Sequence, residues 1–82
     1  NNLYVNTILS RDYSEYFGLL ESEVVEILDY FNMKYKIEEV REWYNGYIFG
    51  ESEVYNPWSI VNYVREKEIK AYWANVSGNT FF

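Results

Sequence analysis

Glutamates are the most closely spaced residues in this 82-residue sequence that could carry out chemistry. They form two sets of three, Glu21, Glu23 and Glu26, followed by Glu38, Glu39 and Glu42. Carboxylate oxygens can bind a divalent cation, but both sets fall in predicted helices, where a charge run is usually a solvated face. The solvated face is the favoured interpretation, so we expect no metal site.

Other catalytic combinations have little support in the sequence. Glu51 and Glu53 have the residue types of a glycosidase acid and base, but they fall at a predicted turn tip, where nothing would desolvate either carboxylate. The chain has no Cys and no His, which removes thiol nucleophiles, the usual zinc ligands and the commonest general base. Without a base, Ser59 and the other serines are interpreted as helix caps or surface hydroxyls. We therefore expect no complete active site and no cofactor within these residues.

Charge and hydropathy restrict the classes of partner that this chain is expected to bind. The net charge of -6 and the pI of about 4.5 lack the basic footprint needed to grip phosphates, so the segment is not expected to bind nucleic acid directly. No apolar run approaches the roughly 18 to 20 residues of a membrane span, and the first residues lack signal-peptide character. We expect a cytoplasmic chain without a membrane partner.

Aromatic residues make up 22% of the chain and concentrate in one region. The candidate packing residues of that region are Trp43, Tyr44, Gly46, Tyr47, Phe49, Gly50, Tyr55, Asn56, Pro57, Trp58 and Ser59. Rings interrupted by glycines and an Asn-Pro pair predict a compact, heavily buried turn between two helices. The alternative is a stacking platform for carbohydrate or peptide, built from Trp43, Trp58 and Trp73.

The flanking sequence predicts the elements that position these rings. Residues 3–9 alternate loosely and indicate an extended lead-in. An apolar stripe predicts a helix over residues 21–31 that stops at Asn32, and a second helix runs over residues 37–44. Asn45 and Gly46 would close the second helix with a left-handed cap.

The second half of the chain predicts a hairpin and a third helix. Residues 47–49 and 54–55 flank a polar tip over residues 50–53, which is the pattern of a short β-hairpin. Asn56 as the cap and Pro57 as the first residue predict a helix to about Arg65. The predicted fold class is α+β, mainly α, with about three helices and one hairpin in a single unit over residues 1–82.

The aromatic content exceeds what so short a chain can easily enclose. The sequence also opens on Asn1 without a Met and closes on Phe81 and Phe82. Together these features predict a fragment of a larger protein whose remainder covers the spare apolar surface. A homo-oligomer is the alternative.

Several joined motifs resemble the bacterial AAA-ATPase-like family, large P-loop proteins that often carry a restriction-nuclease-like domain near the C-terminus. The likeness runs from end to end. The matching stretches are Asn1-Asn2-Leu3 (Leu-Asn-Asn-Leu in the family), Tyr16-Phe17-Gly18 with Glu23-Val24 (Phe-Gly-Phe-Thr-x-x-Glu-Val), Trp43 to Gly50 (Trp-Tyr-Asn/Asp-Gly-Tyr-Arg/Lys-Phe-Gly), Tyr55 to Ser59 (Tyr-Asn-Pro-Trp-Ser), and Tyr72-Trp73 with Ser77-Gly78-Asn79 (Tyr-Trp and Thr-Ser-Gly-Asn).

The resemblance implies a lid-like helical subdomain that follows the nucleotide-binding core and packs against it through the aromatic motif. Segments resembling Walker A and Walker B lie outside these residues, so the ATP and Mg expected for the parent protein would be bound elsewhere. Two positions depart from the family. Ile48 replaces the usual Arg or Lys, which argues against a phosphate-sensing role, and Leu20 replaces the Thr at the helix start, where Ser22 or an upstream group would have to supply the cap.

Overall fold

The computed structural model describes residues 2–11, 18–49 and 52–76, and it confirms an α+β fold that is mainly α. It contains more helix than predicted. The helices are α1 (Asn2–Leu9), α2 (Glu21–Tyr30), a 3-10 turn (Lys34–Lys36), α3 (Ile37–Tyr44), α4 (Pro57–Glu66) and α5 (Trp73–Val76). The strands are β1 (Leu19–Leu20), β2 (Asn45–Phe49) and β3 (Ser52–Tyr55).

The three strands form an antiparallel sheet in the order β1-β3-β2. The predicted hairpin of β2 and β3 is confirmed, but its tip is shorter than predicted, because pairing continues to Phe49 opposite Ser52. Residues 50 and 51, which include Gly50, lie outside the described ranges. The register shifts between Asn45 and Tyr47, where Gly46 is the additional residue of a bulge. β1 was not predicted, since two residues are too few to show an alternating pattern.

The first segment is a helix, so the predicted extended lead-in is wrong. Val5 and Ile8, three residues apart, are both fully buried, and Leu9 packs beside them. Leu3, which the alternating pattern grouped with Val5, is 77% exposed. A seven-residue window contains both spacings, and packing of α1 against α2 selects the helical one.

The helix over residues 21–31 is confirmed as α2, with an unusual start. Leu20 is the N-cap residue and has no side-chain oxygen to offer. Glu23 reaches back instead, and its Oε1 accepts the Leu20 backbone N–H at 2.9 Å. The substitute therefore comes from Glu23, one turn into the helix, and Ser22 does not supply it. Asn32 lies just beyond the helix with φ of 62°, which confirms the predicted stop.

The second predicted helix has the bounds of α3, but its predicted left-handed cap is wrong. Asn45 has φ of -74° and ψ of 92°, which is extended backbone. Asn45 already pairs with Tyr55 in the sheet, and that pairing requires an extended conformation. The chain passes directly from helix to strand.

The helix start at Asn56 and Pro57 is confirmed. The Asn56 Oδ1 accepts the backbone N–H of Ser59 at 3.2 Å, and Pro57 is the first residue of α4. Ser59 contributes its backbone and not its side chain, which is fully buried and whose Oγ has no hydrogen-bond partner among the described residues. The interpretation of Ser59 as a capping or surface hydroxyl is therefore wrong.

One hydrophobic core joins the helices α1, α2, α3 and α4 to the strands β1 and β3. The residues buried in it are Val5, Ile8, Leu19, Val24, Ile27, Leu28, Met33, Val40, Tyr44, Tyr55, Ile60, Tyr63, Val64 and Tyr72. In the described part of the chain, no helix has both the length and the apolar character that a membrane crossing requires.

A substitution at Gly18 tests how closely the backbone before β1 approaches β3. A Cβ at this position would lie 2.8 Å from the Val54 Cβ and 3.0 Å from the Tyr55 carbonyl oxygen, so the strands would have to separate. We expect Gly18→Ala to lower the free energy of unfolding by about 1–3 kcal/mol, measured by urea denaturation. Ser22→Ala, on the exposed side of α2, is the control and should change it by less than about 0.5 kcal/mol. Equal stability of the two variants would contradict the close approach.

Candidate interaction surface

The aromatic motif divides between the core and the surface. Tyr44 and Tyr55 are buried, whereas Trp43 and Trp58 are 43% and 46% exposed. The prediction of a heavily buried turn is therefore wrong for both tryptophans. Consecutive residues on a helix point about 100° apart, so burial of Tyr44 turns Trp43 toward solvent.

The remaining residues of the motif lie in the hairpin. Gly46, Tyr47 and Phe49 belong to β2, and Tyr47 pairs with Val54 of β3 through the backbone. Asn45, at the start of β2, donates its side-chain N–H to Glu53 Oε1 at 2.8 Å. The hairpin thus connects the end of α3, where Trp43 lies, to the beginning of α4, where Trp58 lies.

Three tyrosines, Tyr44, Tyr63 and Tyr72, form a cluster beneath the surface. The Tyr44 ring centroid lies 5.8 Å from that of Tyr63 and 6.2 Å from that of Tyr72, within the range of favourable aromatic contacts. The Tyr44 hydroxyl donates to the Lys70 carbonyl oxygen at 2.7 Å and accepts the Lys70 N–H at 3.0 Å. This tyrosine cluster therefore anchors the connection after α4 to α3.

The environment of the tyrosine cluster keeps its phenols neutral. Burial raises the pKa of Tyr44, and it raises the pKa of Tyr63 to about 12. Neither group can act as a base near neutral pH. Their chemical role is to fill space and, for Tyr44, to satisfy backbone groups.

Trp43 and Trp73 form an exposed tryptophan pair on top of this cluster. Their ring centroids are 6.2 Å apart and their planes are inclined by 45°. Trp73 also contacts Tyr44 edge to face, with centroids 5.9 Å apart. Each tryptophan remains 43% exposed, so the pair packs against the tyrosine cluster and is still accessible to solvent.

Two glutamates of α3 are close to Trp43 in the sequence. Glu39 lies one helical turn before it and makes a salt bridge to Lys36 at 3.6 Å. Glu42 directly precedes it and is exposed, but consecutive residues of a helix do not face each other. Glu39, the carboxylate on the same helical face as Trp43, is therefore already paired with a cation.

The main polar network lies elsewhere, where α2, α3 and β3 meet. Arg41 donates from Nε to Glu21 Oε2 at 3.1 Å, and the Tyr55 hydroxyl donates to Glu21 Oε1 at 2.8 Å. Arg41 also donates to Glu38 at 2.6 Å. The Arg41 hydrogen bond, followed by that of Tyr55, holds the pKa of Glu21 below its ordinary value. Burial, together with this bond to Glu21, raises the pKa of Tyr55.

Members of both glutamate sets make separate structural contacts. In the first set Glu21 binds Arg41, while Glu23 caps α2 and forms a salt bridge with Arg11 at 2.7 Å. Across residues 2–11, 18–49 and 52–76, no three His, Cys, Asp or Glu side chains are grouped so that they could hold a metal ion. Of the proposed glycosidase pair, Glu53 is bound to Asn45, and Glu51 lies outside those ranges.

A surface cleft of about 320 Å³ lies between the 3-10 turn and the end of α4. Its apolar and aromatic lining comes from Met33, Tyr35, Tyr63 and Ile69. Two lysines and two glutamates complete it: Lys36, Lys67, Glu39 and Glu68. Their charges balance, so the cleft favours neither an anion nor a cation.

Sequence reasoning missed the two contacts that organise this region. Arg41 belongs to α3, but its partner Glu21 lies 20 residues earlier. Lys70 lies 26 residues after Tyr44. No local spacing in the sequence indicates that residues so far apart are in contact. For the Arg41–Glu21 pair, the only signal was an acidic residue at the start of one helix and a basic residue in the next.

Comparison with known proteins gives one informative match. The chain is 32% identical over 81 residues to an uncharacterized protein encoded in the vnfD 5' region of Azotobacter chroococcum mcd 1. The match covers 99% of this chain but only 16% of that protein, so the chain spans about a sixth of its length. No family model matches the chain, and no solved structure matches it.

Tyr44→Phe tests the anchoring of the connection after α4. The variant keeps the ring but leaves the buried-side N–H and C=O of Lys70 without their partner, so we expect a loss of about 1–3 kcal/mol in unfolding free energy. Tyr35→Phe is the matched control, because Tyr35 is 78% exposed. Urea denaturation of both variants measures the difference. If both were as stable as the unsubstituted chain, the anchor would be negligible.

Acid titration tests the Glu21 network. Because the folded-state pKa of Glu21 lies below its ordinary value of 4.5, its carboxylate stabilises the fold at neutral pH. That stabilisation is lost as the pH falls below about 4.5 and through the lowered value. We expect the melting temperature of Glu21→Gln to fall less on acidification than that of the unsubstituted chain. Identical profiles for the two proteins would refute the role of Glu21.

Proposed function

We propose that this chain is a non-catalytic, lid-like helical subdomain of a bacterial AAA-like P-loop ATPase. In this proposal it packs against the nucleotide-binding core of a cytoplasmic parent protein, which binds ATP and Mg through segments elsewhere. The aromatic motif supplies the packing surface. The observation that carries the proposal is the division of the motif into a buried anchor and exposed tryptophans.

The core supports the proposal because it encloses aliphatic side chains and several tyrosines, yet leaves all three tryptophans at the surface. Trp43, Trp58 and Trp73 are between 43% and 46% exposed while Tyr44, Tyr55 and Tyr63 are buried. Large aromatic side chains left at a surface are typical of residues that anchor protein interfaces. A surface prepared in this way fits a subdomain that is completed by a neighbour.

The relative from Azotobacter adds support of a different kind. Nearly all of this chain aligns inside a protein of which it covers 16%. A subdomain of a larger polypeptide is expected to match in this way. The class proposed for the larger protein that contains this chain rests on the motifs that resemble the ATPase-like family, among them Trp43 to Gly50 and Tyr55 to Ser59.

The alternative is an independent module that binds carbohydrate or peptide on its exposed rings. The exposure of Trp43, Trp58 and Trp73 is compatible with such a module as well. The inclination of 45° between Trp43 and Trp73 weighs against a flat platform for stacked sugars. The balance of these observations favours the subdomain.

Nucleotide binding distinguishes the two classes. We expect the 82-residue chain to bind no ATP in the presence of Mg, whereas the parent protein with its P-loop segment binds it, as measured by isothermal titration calorimetry. The parent with its P-loop lysine replaced by alanine is the control and should lose binding. Tight ATP binding by the short chain, or none by the intact parent, would contradict the proposal.

Calorimetric titration of the same chain also tests the alternative, an independent module that binds carbohydrate or peptide. Binding of a soluble oligosaccharide such as cellohexaose by the short chain, abolished by Trp43→Ala, would favour the independent module. We expect no heat of binding with this sugar.

A further inference from the structure

We propose that Asn45 is a deamidation site that becomes reactive when the β2–β3 hairpin opens locally. The site is independent of the proposed function. Asn45 is followed by Gly46, whereas every other asparagine of the chain is followed by a residue with a side chain. Because glycine has no Cβ, its backbone nitrogen is sterically free to attack the side chain that precedes it. The Asn-Gly pair is therefore the most reactive amide of the sequence, and the fold decides when it can react.

The reaction needs water as its only co-reactant. The Gly46 nitrogen loses its proton to hydroxide and attacks the Asn45 Cγ, so that an N–Cγ bond forms and the Cγ–Nδ2 bond breaks. Nδ2 takes up a proton from water and leaves as ammonia, and a five-membered cyclic imide remains. Water then breaks one of the two bonds from the imide nitrogen to carbonyl carbon, which gives aspartate or isoaspartate. A neutral amide has become a carboxylate without oxidation or reduction.

The folded backbone holds the two reacting atoms apart. The imide ring can close only when the Gly46 nitrogen and the Asn45 Cβ are nearly eclipsed about the Asn45 Cα–C bond. Asn45 has ψ of 92°, which places the Gly46 nitrogen nearly opposite that Cβ. Asn45 cannot rotate about this bond while it stays paired with Tyr55 in the sheet. The imide therefore cannot form in the closed hairpin.

Two further contacts hold Asn45 in this unreactive state. Its backbone N–H donates to the Arg41 carbonyl oxygen in the last turn of α3. Its side-chain Nδ2 donates to Glu53 Oε1 across the hairpin at 2.8 Å. Nδ2 is also the atom that must leave, so Glu53 is a positioning residue that restrains the amide away from the attacking nitrogen.

The place of Asn45 in the fold favours local opening over global unfolding. The strand order is β1-β3-β2, so β2 is an edge strand of the sheet that the structure describes. Asn45 is half-buried, Glu53 is exposed, and the sheet register shifts directly after Asn45. Segments with solvent-exposed hydrogen bonds open at a lower free energy than the core does. Asn45 thus becomes reactive while the helices around the core stay folded.

Deamidation weakens the hairpin that controls it. The aspartate product has no side-chain N–H to donate to Glu53, and it brings a second carboxylate close to the first. Like charges across paired strands are destabilising. Since the ammonia is lost, the change is irreversible, and chains whose hairpin opens often accumulate it.

Peptide mapping by mass spectrometry tests the site and its control by the hairpin. The 82-residue chain is incubated in mildly alkaline buffer, both folded and unfolded in urea. We expect Asn45 to be the fastest-reacting asparagine in the unfolded chain and to react at least about tenfold more slowly in the folded chain. Below the unfolding transition, added urea should change the rate little, because local opening exposes little surface. No reaction in the unfolded chain, equal rates in both states, or a rate that follows global unfolding would overturn the proposal.

Glu53→Ala tests the restraint on the leaving amide. We expect it to speed the reaction of the folded chain by about two- to tenfold, the ratio that corresponds to one hydrogen bond, and to leave the rate in the unfolded chain unchanged. Asp29→Ala, on the exposed side of α2, is the control and should change neither rate. All rates are compared below the unfolding transition of each variant. An unchanged or slower reaction in folded Glu53→Ala would overturn the proposal.

Asn45→Asp tests the consequence of the reaction. We expect it to have a lower melting temperature than Asn45→Ala, because both variants lose the hydrogen bond to Glu53 and only the first adds a like charge. Lowering the pH until carboxylates are protonated should remove the difference. An Asn45→Asp chain as stable as the unsubstituted one would contradict the weakening of the hairpin.

Discussion

Burial of Tyr44 is the constraint on which the rest of this structure depends. The side chain must take its ring into the core and still pair its hydroxyl, and the backbone of Lys70 provides both the acceptor and the donor. This single pairing brings the chain after α4 back across α3. Tyr72 and Trp73 follow within three residues of Lys70, so the same contact places one of them in the core and the other on the surface.

Charged residues also connect the secondary-structure elements to one another. Glu21 joins α2 to α3 through Arg41 and to β3 through Tyr55, and Glu23 replaces a missing cap at the start of α2. The bonds from Arg41 and Tyr55 stabilise the Glu21 carboxylate in its charged form, which is opposite to the state that a general acid requires. Glu21 and Glu23, which belong to the glutamate sets that could have carried out chemistry, therefore have structural roles.

The surface of the chain carries three tryptophans that are between 43% and 46% exposed. Trp43 and Trp73 pack against each other, and both contact Tyr44, so part of this apolar area is held in place before a neighbour binds. Aromatic side chains held in this way are suited to anchor a subdomain on a larger protein.

The sequence by itself determined the elements whose signals are local. The Asn56-Pro57 start of α4, the apolar stripe of α2, the bounds of α3 and the β2–β3 hairpin all follow from spacing and from turn residues, and the α+β class follows from them. Tertiary structure decided what depends on distant partners: α1 is a helix because Val5 and Ile8 pack on α2, and Asn45 is extended because Tyr55 lies opposite it in the sheet. It also decided which rings are buried, since neighbouring residues Trp43 and Tyr44 have similar chemistry. Only the direction of the core relative to α3 separates them, and that direction is set by contacts from Tyr63, Lys70 and Tyr72, which lie far along the chain.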